Sequence, residues 1–487
     1  MQSDFHQMRL AINQGERAGL GIVLLLVALC GVTLFFIVHA TSPNRIFLPD
    51  SASYINPAKA LLYTGRFAIR PDKPDIPEII RTPGYPLFLA GLFGIFGETY
   101  VPVILIQILL NLGTIVMTYH MGAKLWGGRI ALVGAVLLAL DVSSLFSAQM
   151  VLSDTLFTFL LCLAVGKGID VFCKPNRTMV HLVACSVLLA FATLVRPITY
   201  YLIILVMIIL TTIWKLYWHQ RWRKIGVFLA AVLIPWVVLI GGWQLRNYLS
   251  TGSLTFSAIQ STNLLFYRAA DVIAKRDGIP LEEAQRRLGY QNYRELHPET
   301  RTWTQTQLHR RWKDEGIKII RGHPGLLLKS ELLGMVRMLF GPGEGGLLVY
   351  LGFEVKERHP GLSLFKMSPR EYIRTWILKN PGQFGLFVFS ISYLMVVYIG
   401  VVIALWRLIG MRDDTRRDLI KNKTFKGSNL FIWGITLYLV LISAGPEAYS
   451  RFRVPVMPFF CLYGGYGLYH IVSHLFYKSN NTASYLR

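Results

Sequence analysis

The sequence predicts an all-α integral membrane protein, and three observations carry that prediction. Of its 487 residues, 53% are hydrophobic and 16% charged, where soluble domains run at about 25% charged. The mean hydropathy is +0.45. Apolar runs recur that are long enough to cross a hydrocarbon core of about 30 Å as helices. Segments of alternating polarity about 10 residues long, the mark of a transmembrane β-barrel, are absent.

In chain order, spans are expected at 18–40, 99–122, 129–147, 150–172, 180–196, 197–217, 225–244, 381–408, 429–445 and 454–476, which makes about ten helices. The first run exceeds a signal-peptide core and has no small-residue cleavage site, so it stays as a span. With the N-terminus in the cytoplasm, Lys124, Arg129, Lys174, Arg177, Lys215, Arg221, Arg223, Lys224 and the stretch from Arg407 to Lys426 all fall inside, as the positive-inside rule requires. The first outer loop, 41–98, breaks that rule with Arg45, Lys59, Arg66, Arg70, Lys73 and Arg81. Either the topology differs, or these cations serve something anionic.

Three regions are expected: an N-terminal transmembrane module (1–244), an outer-face subdomain with juxtamembrane helices (245–380) and C-terminal transmembrane helices (381–487). Charge pairs Glu282–Arg286 and Glu283–Arg287 suit solvated helices in the middle region. Within 324–352, Lys329, Glu331 and Arg337 interrupt the apolar residues, which favours an interfacial or re-entrant helix that crosses zero times or twice. No equal-length internal repeat is visible. The 50 Lys and Arg against 27 Asp and Glu give +23, a surplus suited to orientation in the membrane and to anionic lipid. Nucleic acid is not an expected partner, because no basic, aromatic-interleaved soluble domain is present. Five cysteines lie in or beside apolar runs without CxxC or Cys/His spacing, so neither disulfides nor structural zinc are expected.

Chemistry-bearing residues recur at the outer ends of these spans. Asp50, in Leu48-Pro49-Asp50-Ser51-Ala52-Ser53-Tyr54, precedes a short amphipathic helix; it either caps that helix or deprotonates an incoming hydroxyl or amine. Arg81-Thr82-Pro83-Gly84-Tyr85-Pro86 forms a rigid turn at the membrane boundary. Its Arg81 either snorkels or offers a phosphate its donor fork, and Tyr85 is counted with the substrate-binding residues. Asp154 begins the fourth span and serves as a helix-start residue or in substrate binding, whereas Asp141 caps or pairs. Arg196, Arg246, Arg451 and Arg453 add cations on the face where few are expected, as though an anionic lipid head group docks there.

At these residues the sequence resembles the GT-C glycosyltransferases of the protein O-mannosyltransferase and lipid A aminoarabinose transferase type, glycosyltransferase family 39. The likeness rests on Asp50, on Arg81-Thr82-Pro83-Gly84-Tyr85-Pro86-Leu87-Phe88, Leu152-Ser153-Asp154-Thr155-Leu156-Phe157 and Leu194-Val195-Arg196-Pro197, and on Trp243-Gln244-Leu245-Arg246-Asn247-Tyr248 and Arg451-Phe452-Arg453-Val454-Pro455. It implies a GT-C-type polytopic helical bundle that moves a sugar from a polyprenyl or dolichyl phosphate carrier to a glycan, lipid or protein acceptor. Transfer would take place on the periplasmic or lumenal face, with inversion. Asp50 matches the family's loop-one acid, the base or acceptor-positioning group. Asp154 matches a second outer-face acid, and Arg81, Arg246 and Arg451 or Arg453 match the lipid-phosphate ligands.

The chain departs from that pattern in having Ser51 where some members carry a second acid, which argues against a divalent metal held by paired carboxylates. No nucleotide cofactor is required, and metal dependence is otherwise left open. The short cytoplasmic loops suggest a bacterial inner membrane. The competing readings are a transporter or lipid flippase, and a non-catalytic polysaccharide-assembly subunit.

Overall fold

In the computed structural model, which describes residues 2–353, 368–410 and 423–484, the regular structure of the described residues is helical, with one isolated bridge between Ala68 and Pro77 in a loop. The N-terminal module runs α1 (Gln2–Thr41), α2 (Ser51–Thr64), α3 (Gly84–Phe96), α4 (Val101–Trp126), α5 (Gly128–Ala139), α6 (Val142–Ala148), α7 (Asp154–Cys173), α8 (Thr178–Val195), α9 (Leu202–Leu216) and α10 (Trp222–Thr251). Among the described residues, seven helices are long and apolar enough to cross a bilayer, or up to nine if each of two bent pairs counts as one span, against the ten or so expected. The protein is thus an integral membrane protein with an all-α fold.

Local chemistry sets the breaks. Gly127, at φ 92°, separates α4 from α5. The expected straight span at 129–147 is instead two helices bent by 63°. Asp141 makes the break: its carboxylate accepts from the backbone N–H of Ser144 at 2.9 Å and starts α6. Helix α8 stops at Val195 because Arg196 precedes Pro197, whose ring disfavours helical backbone there; Arg196 is extended, at φ −139° and ψ 125°. The expected span 197–217 shrinks to the 15 residues of α9, about 22 Å of helix. A turn at Pro197–Thr199 takes up its start.

Beyond α10 the chain forms small helices, α11 (Ile259–Asn263), α12 (Ala270–Asp277), α13 (Leu281–Arg287), α14 (Tyr293–Leu296) and α15 (Gln305–Gly322), with a π-helical turn at Leu264–Ala269. Leu265, Phe266, Ala269, Ala270, Tyr293 and Leu308 give this region its own apolar core. The segment expected to lie at or re-enter the interface is α16 (Pro324–Phe340) and α17 (Glu344–Leu351), bent by 60°. After a short helical stretch at 369–378 come α18 (Pro381–Gly410), α19 (Lys423–Ser443) and α20 (Met457–Ser484). Residues 411–422 of the basic stretch between Arg407 and Lys426 lie outside the described residues.

The bundle is layered around α7. Helices α4, α8 and α19 pack directly on it, α10 covers α8, and α20 is held between α5 and α18. Contact between α18 and α20 depends on glycine, since a Cβ at Gly400 would lie 2.5 Å from the Gly464 carbonyl oxygen. Small residues let the two backbones approach where apolar area alone gives helices in lipid no reason to associate. The long axis of α7 then separates two charged ends. Asp154 opens the helix, while Asp170, near its other end, pairs with Lys124 of α4 at 2.7 Å.

Candidate active site at one end of the bundle

Two quoted motifs are built against each other. Helix α3 starts at Gly84, where a Cβ would stand 2.7 Å from the carbonyl carbon of Leu194 and 2.7 Å from the amide nitrogen of Val195. The Thr82 hydroxyl donates to the Val195 carbonyl at 3.3 Å. The Arg81 turn therefore docks onto the end of α8, next to Arg196. Before the turn, buried Glu78 accepts from the backbone N–H groups of Ile80 and Arg81, at 2.5 and 2.9 Å, which fixes the direction in which Arg81 leaves the loop.

From there the guanidinium of Arg81 reaches back to α2. It donates to Ser53 Oγ at 2.8 Å, to Tyr54 Oη at 3.2 Å and to Asp50 Oδ1 at 2.8 Å, with its Cζ 4.5 Å from the Tyr54 ring centroid. The other oxygen of Asp50 accepts from Arg451 Nη2 at 3.0 Å. Asp50 occupies the N-cap position of α2, yet its side chain makes no capping bond. Its carboxylate belongs to the two arginines.

Arg451 also faces Asp154, with Nε 3.5 Å from Oδ2, and the remaining oxygen of Asp154 pairs with Arg196. The result is an alternating chain, Arg81–Asp50–Arg451–Asp154–Arg196, with three positive and two negative charges. Its two acids differ in access. The Asp50 side chain is 39% exposed, whereas that of Asp154 is 1% exposed. Burial pushes the Asp50 carboxyl up, but Arg81 and Arg451 outweigh burial and hold it below its ordinary value. Asp50 is therefore ionised, reachable and, while clamped in this way, a weak base.

The other expected residues make their own hydrogen bonds outside this chain. Tyr85 is fully buried; its hydroxyl donates to Gln107 Oε1 at 2.7 Å, and Gln107 in turn holds the Met150 carbonyl at 2.7 Å. It braces the approach to α7 and presents no free face to a ligand. Arg246 donates to the backbone carbonyls of Phe67 and Glu78, the latter at 2.9 Å, and lies against the rings of Phe67 and Trp243. It props the loop that carries Arg81. Arg453 is 1% exposed and donates to the carbonyls of Met338, Leu339 and Gly341 at 2.8–2.9 Å, closing the end of α16. Arg451 and Arg453 share one tight 3-10 turn, Ser450–Val456, and leave it in different directions.

Sequence reasoning missed Glu78 as a brace, and it missed the hydroxyl relay in which Ser153 Oγ donates to Tyr54 Oη at 3.1 Å. Ser53, Tyr54 and Ser153 all stand inside motifs quoted for their acids, so the signal was adjacency alone. Outside the bundle, Tyr267 of the π-helical turn and Tyr449 lie within electrostatic reach of Asp50. Arg268, beside Tyr267, ties that turn to the Ala444 carbonyl at 3.0 Å. Among the described residues, no group of three or more His, Cys, Asp or Glu is placed to hold a metal ion.

Residues 73–240 match the family described as dolichyl-phosphate-mannose-protein mannosyltransferase, a stretch that includes Arg81, Tyr85, Asp154 and Arg196. No curated protein matches the sequence. The fold is similar to the crystal structure of the Archaeoglobus fulgidus oligosaccharyltransferase in the apo form, with a TM-score of 0.50 and 12% identity over 95% of this chain and 52% of that one. The archaeal oligosaccharyltransferase AglB from Archaeoglobus fulgidus, in complex with an inhibitory peptide and a dolichol-phosphate, aligns at TM-score 0.49 and 13% identity, over 95% of this chain and 52% of that one. ArnT from Cupriavidus metallidurans, bound to undecaprenyl phosphate, aligns at 0.37 and 14% identity, over 89% and 77%. The chain thus spans about half the length of the oligosaccharyltransferase. The likeness to that family covers residues 73–240, about a third of the chain, and the fold is similar to that of the oligosaccharyltransferase.

Proposed function

We propose that the protein transfers a sugar from a polyprenyl-phosphate carrier to a hydroxyl- or amine-bearing acceptor, inverting the anomeric carbon, on the outer face of a bacterial inner membrane. The observation that carries this reading is the partly exposed Asp50 held between Arg81 and Arg451 at one end of a membrane-spanning bundle. A lipid carrier keeps its chain in the bilayer, so its phosphate must stand at the boundary, where guanidinium groups stabilise the charge that develops as it leaves. Asp50 accepts the acceptor's proton. The acceptor heteroatom bonds to the anomeric carbon from the face opposite the phosphate, the bond between that carbon and the phosphate oxygen breaks, and the carrier departs as the phosphate monoester. Titratable side chains of α7 support transfer over translocation, because its two acids stand near opposite ends of the helix.

The direct test is Asp50→Asn, assayed with a polyprenyl-phosphate sugar in detergent or liposomes. Transfer is expected to fall at least about a hundredfold, with expression and melting temperature at wild-type values. A fully active Asp50→Asn protein overturns the assignment. Because three arginines supply the positive charge at the site, activity is also expected to persist in EDTA; loss of activity restored by a divalent cation would contradict this.

A further inference from the structure

Arg451 stands between two carboxylates and satisfies only one. Its Nη2 bonds Asp50 Oδ2 at 3.0 Å, but its Nε lies 3.5 Å from Asp154 Oδ2. Both of these facing atoms, Arg451 Nε and Asp154 Oδ2, are buried without a hydrogen-bond partner. The side chains are 8% and 1% exposed, so solvent is poorly placed to compensate either atom. A charged donor and a charged acceptor left without a hydrogen bond in this way are costly. A displacement of well under an ångström would join them.

We propose that Arg451 has two stations, the one seen here and a second in which Nε–H donates to Asp154 Oδ2, Asp50 Oδ2 is released, and the Nη fork turns to the donor phosphate. Asp154 is then a positioning residue. It touches no substrate and acts through Arg451 on the basicity of Asp50. The proposal rests on the glycosyl-transfer reading above and adds a coupling to it: arrival of the lipid phosphate, which competes with Asp50 for guanidinium hydrogen bonds, frees the base only once a donor is present.

The groups around the two acids are consistent with this division. Asp50 faces Arg81 from the turn before α3, with Tyr54 on α2, Tyr267 from the π-helical turn and Tyr449 beside Arg451. Asp154 faces Arg196 from the end of α8, with Tyr85 on α3 and Tyr449 within electrostatic reach. Arg196 pairs with the other oxygen of Asp154, so Oδ2 of the second station is left facing Arg451.

The test is the pH dependence of transfer at saturating acceptor with the donor varied. The acid limb of kcat/KM reports Asp50 in the donor-free protein, and that of kcat reports it with donor bound. In wild type the kcat limb is expected to lie about one pH unit or more above the kcat/KM limb. In Asp154→Asn the two limbs are expected to coincide at the lower value, with kcat reduced about tenfold or more and a separation regained in Asp154→Glu. Coincident limbs in wild type overturn the proposal without recourse to any variant. So does an Asp154→Asn protein whose limbs remain separated, because a purely structural role would scale the rate and leave the profile in place. If Asp50→Asn is inactive and the wild-type limbs coincide, the two stations fail while glycosyl transfer stands. If Asp50→Asn is fully active, the parent reading fails first.

Discussion

At the scale of single residues, the site is defined by which acid has freedom to react. Asp50 and Asp154 carry the same carboxylate, and both touch Arg451, but only Asp50 has an accessible side chain. Arg81 therefore has two effects in the proposed reaction: it presents charge at the phosphate position and it depresses the basicity of Asp50. Removing it separates them. In Arg81→Ala, KM for the lipid donor is expected to rise about tenfold, and the acid limb of kcat/KM to move to higher pH. The sign follows from the loss of a positive neighbour that favours the ionised carboxylate. An unchanged donor dependence together with an unmoved limb would remove Arg81 from the site.

Elements matter through how two motifs meet. The backbone of Gly84 lies against the last turn of α8, and the atoms a Cβ would meet, Leu194 C and O and Val195 N, belong to the backbone and cannot swing aside. Gly84→Ala is expected to lower stability by about 1–3 kcal/mol and to cut activity by displacing Arg81; a wild-type melting temperature and rate would show that the contact yields. In the region between α10 and α16, His309 is buried with its Nδ1 2.8 Å from Ser261 Oγ, and burial lowers its pKa to about 4. The folded form thus holds His309 neutral. Its contribution is intact above the unfolded value near 6.5 and is lost as pH falls from there toward 4, by up to about 3 kcal/mol. Hydrogen exchange or limited proteolysis of this region between pH 7 and 4.5 is expected to show loosening that His309→Phe abolishes; the same pH response in both proteins would clear His309.

On the scale of the whole molecule, the proposed reaction needs residue 50 on the outer face. A single cysteine replacing exposed Lys73, in a background without the five native cysteines, is expected to react with an impermeant maleimide added outside intact cells. Reaction only after permeabilisation would reverse the topology and remove the site from any periplasmic substrate. The same scale shows how the basic first loop, which the positive-inside rule left unexplained, is absorbed. Arg66 pairs with Asp75 at 2.6 Å, Lys59 with Glu98, and Arg81 with Asp50, so much of its charge is neutralised locally.

Much of this architecture was legible in the chain itself. Long apolar runs must bury their backbone hydrogen bonds as helices in lipid, so the runs determined an all-α membrane protein and marked most of its long helices, though not the break at Asp141 or the short α9. Pro197 announced the end of α8, and Asp141 announced a cap, because both act on their immediate neighbours. What spacing could not supply was direction. Arg246 and Arg453 have the same chemistry and the same span-end position as Arg81 and Arg451, yet they close on backbone carbonyls of the loop at Phe67–Glu78 and of the end of α16. Tyr85, in the most distinctive motif, is spent on Gln107 of α4, which holds the segment before α7. A guanidinium takes whichever acceptors the packed helices bring within about 3 Å, and those acceptors come from segments up to 401 residues away, as Arg451 and Asp50 do. The sequence by itself determined a membrane-embedded helical bundle with acids and arginines at its boundary; only the tertiary structure decided which of them meet, because ion pairing is settled by through-space contact and not by position along the chain.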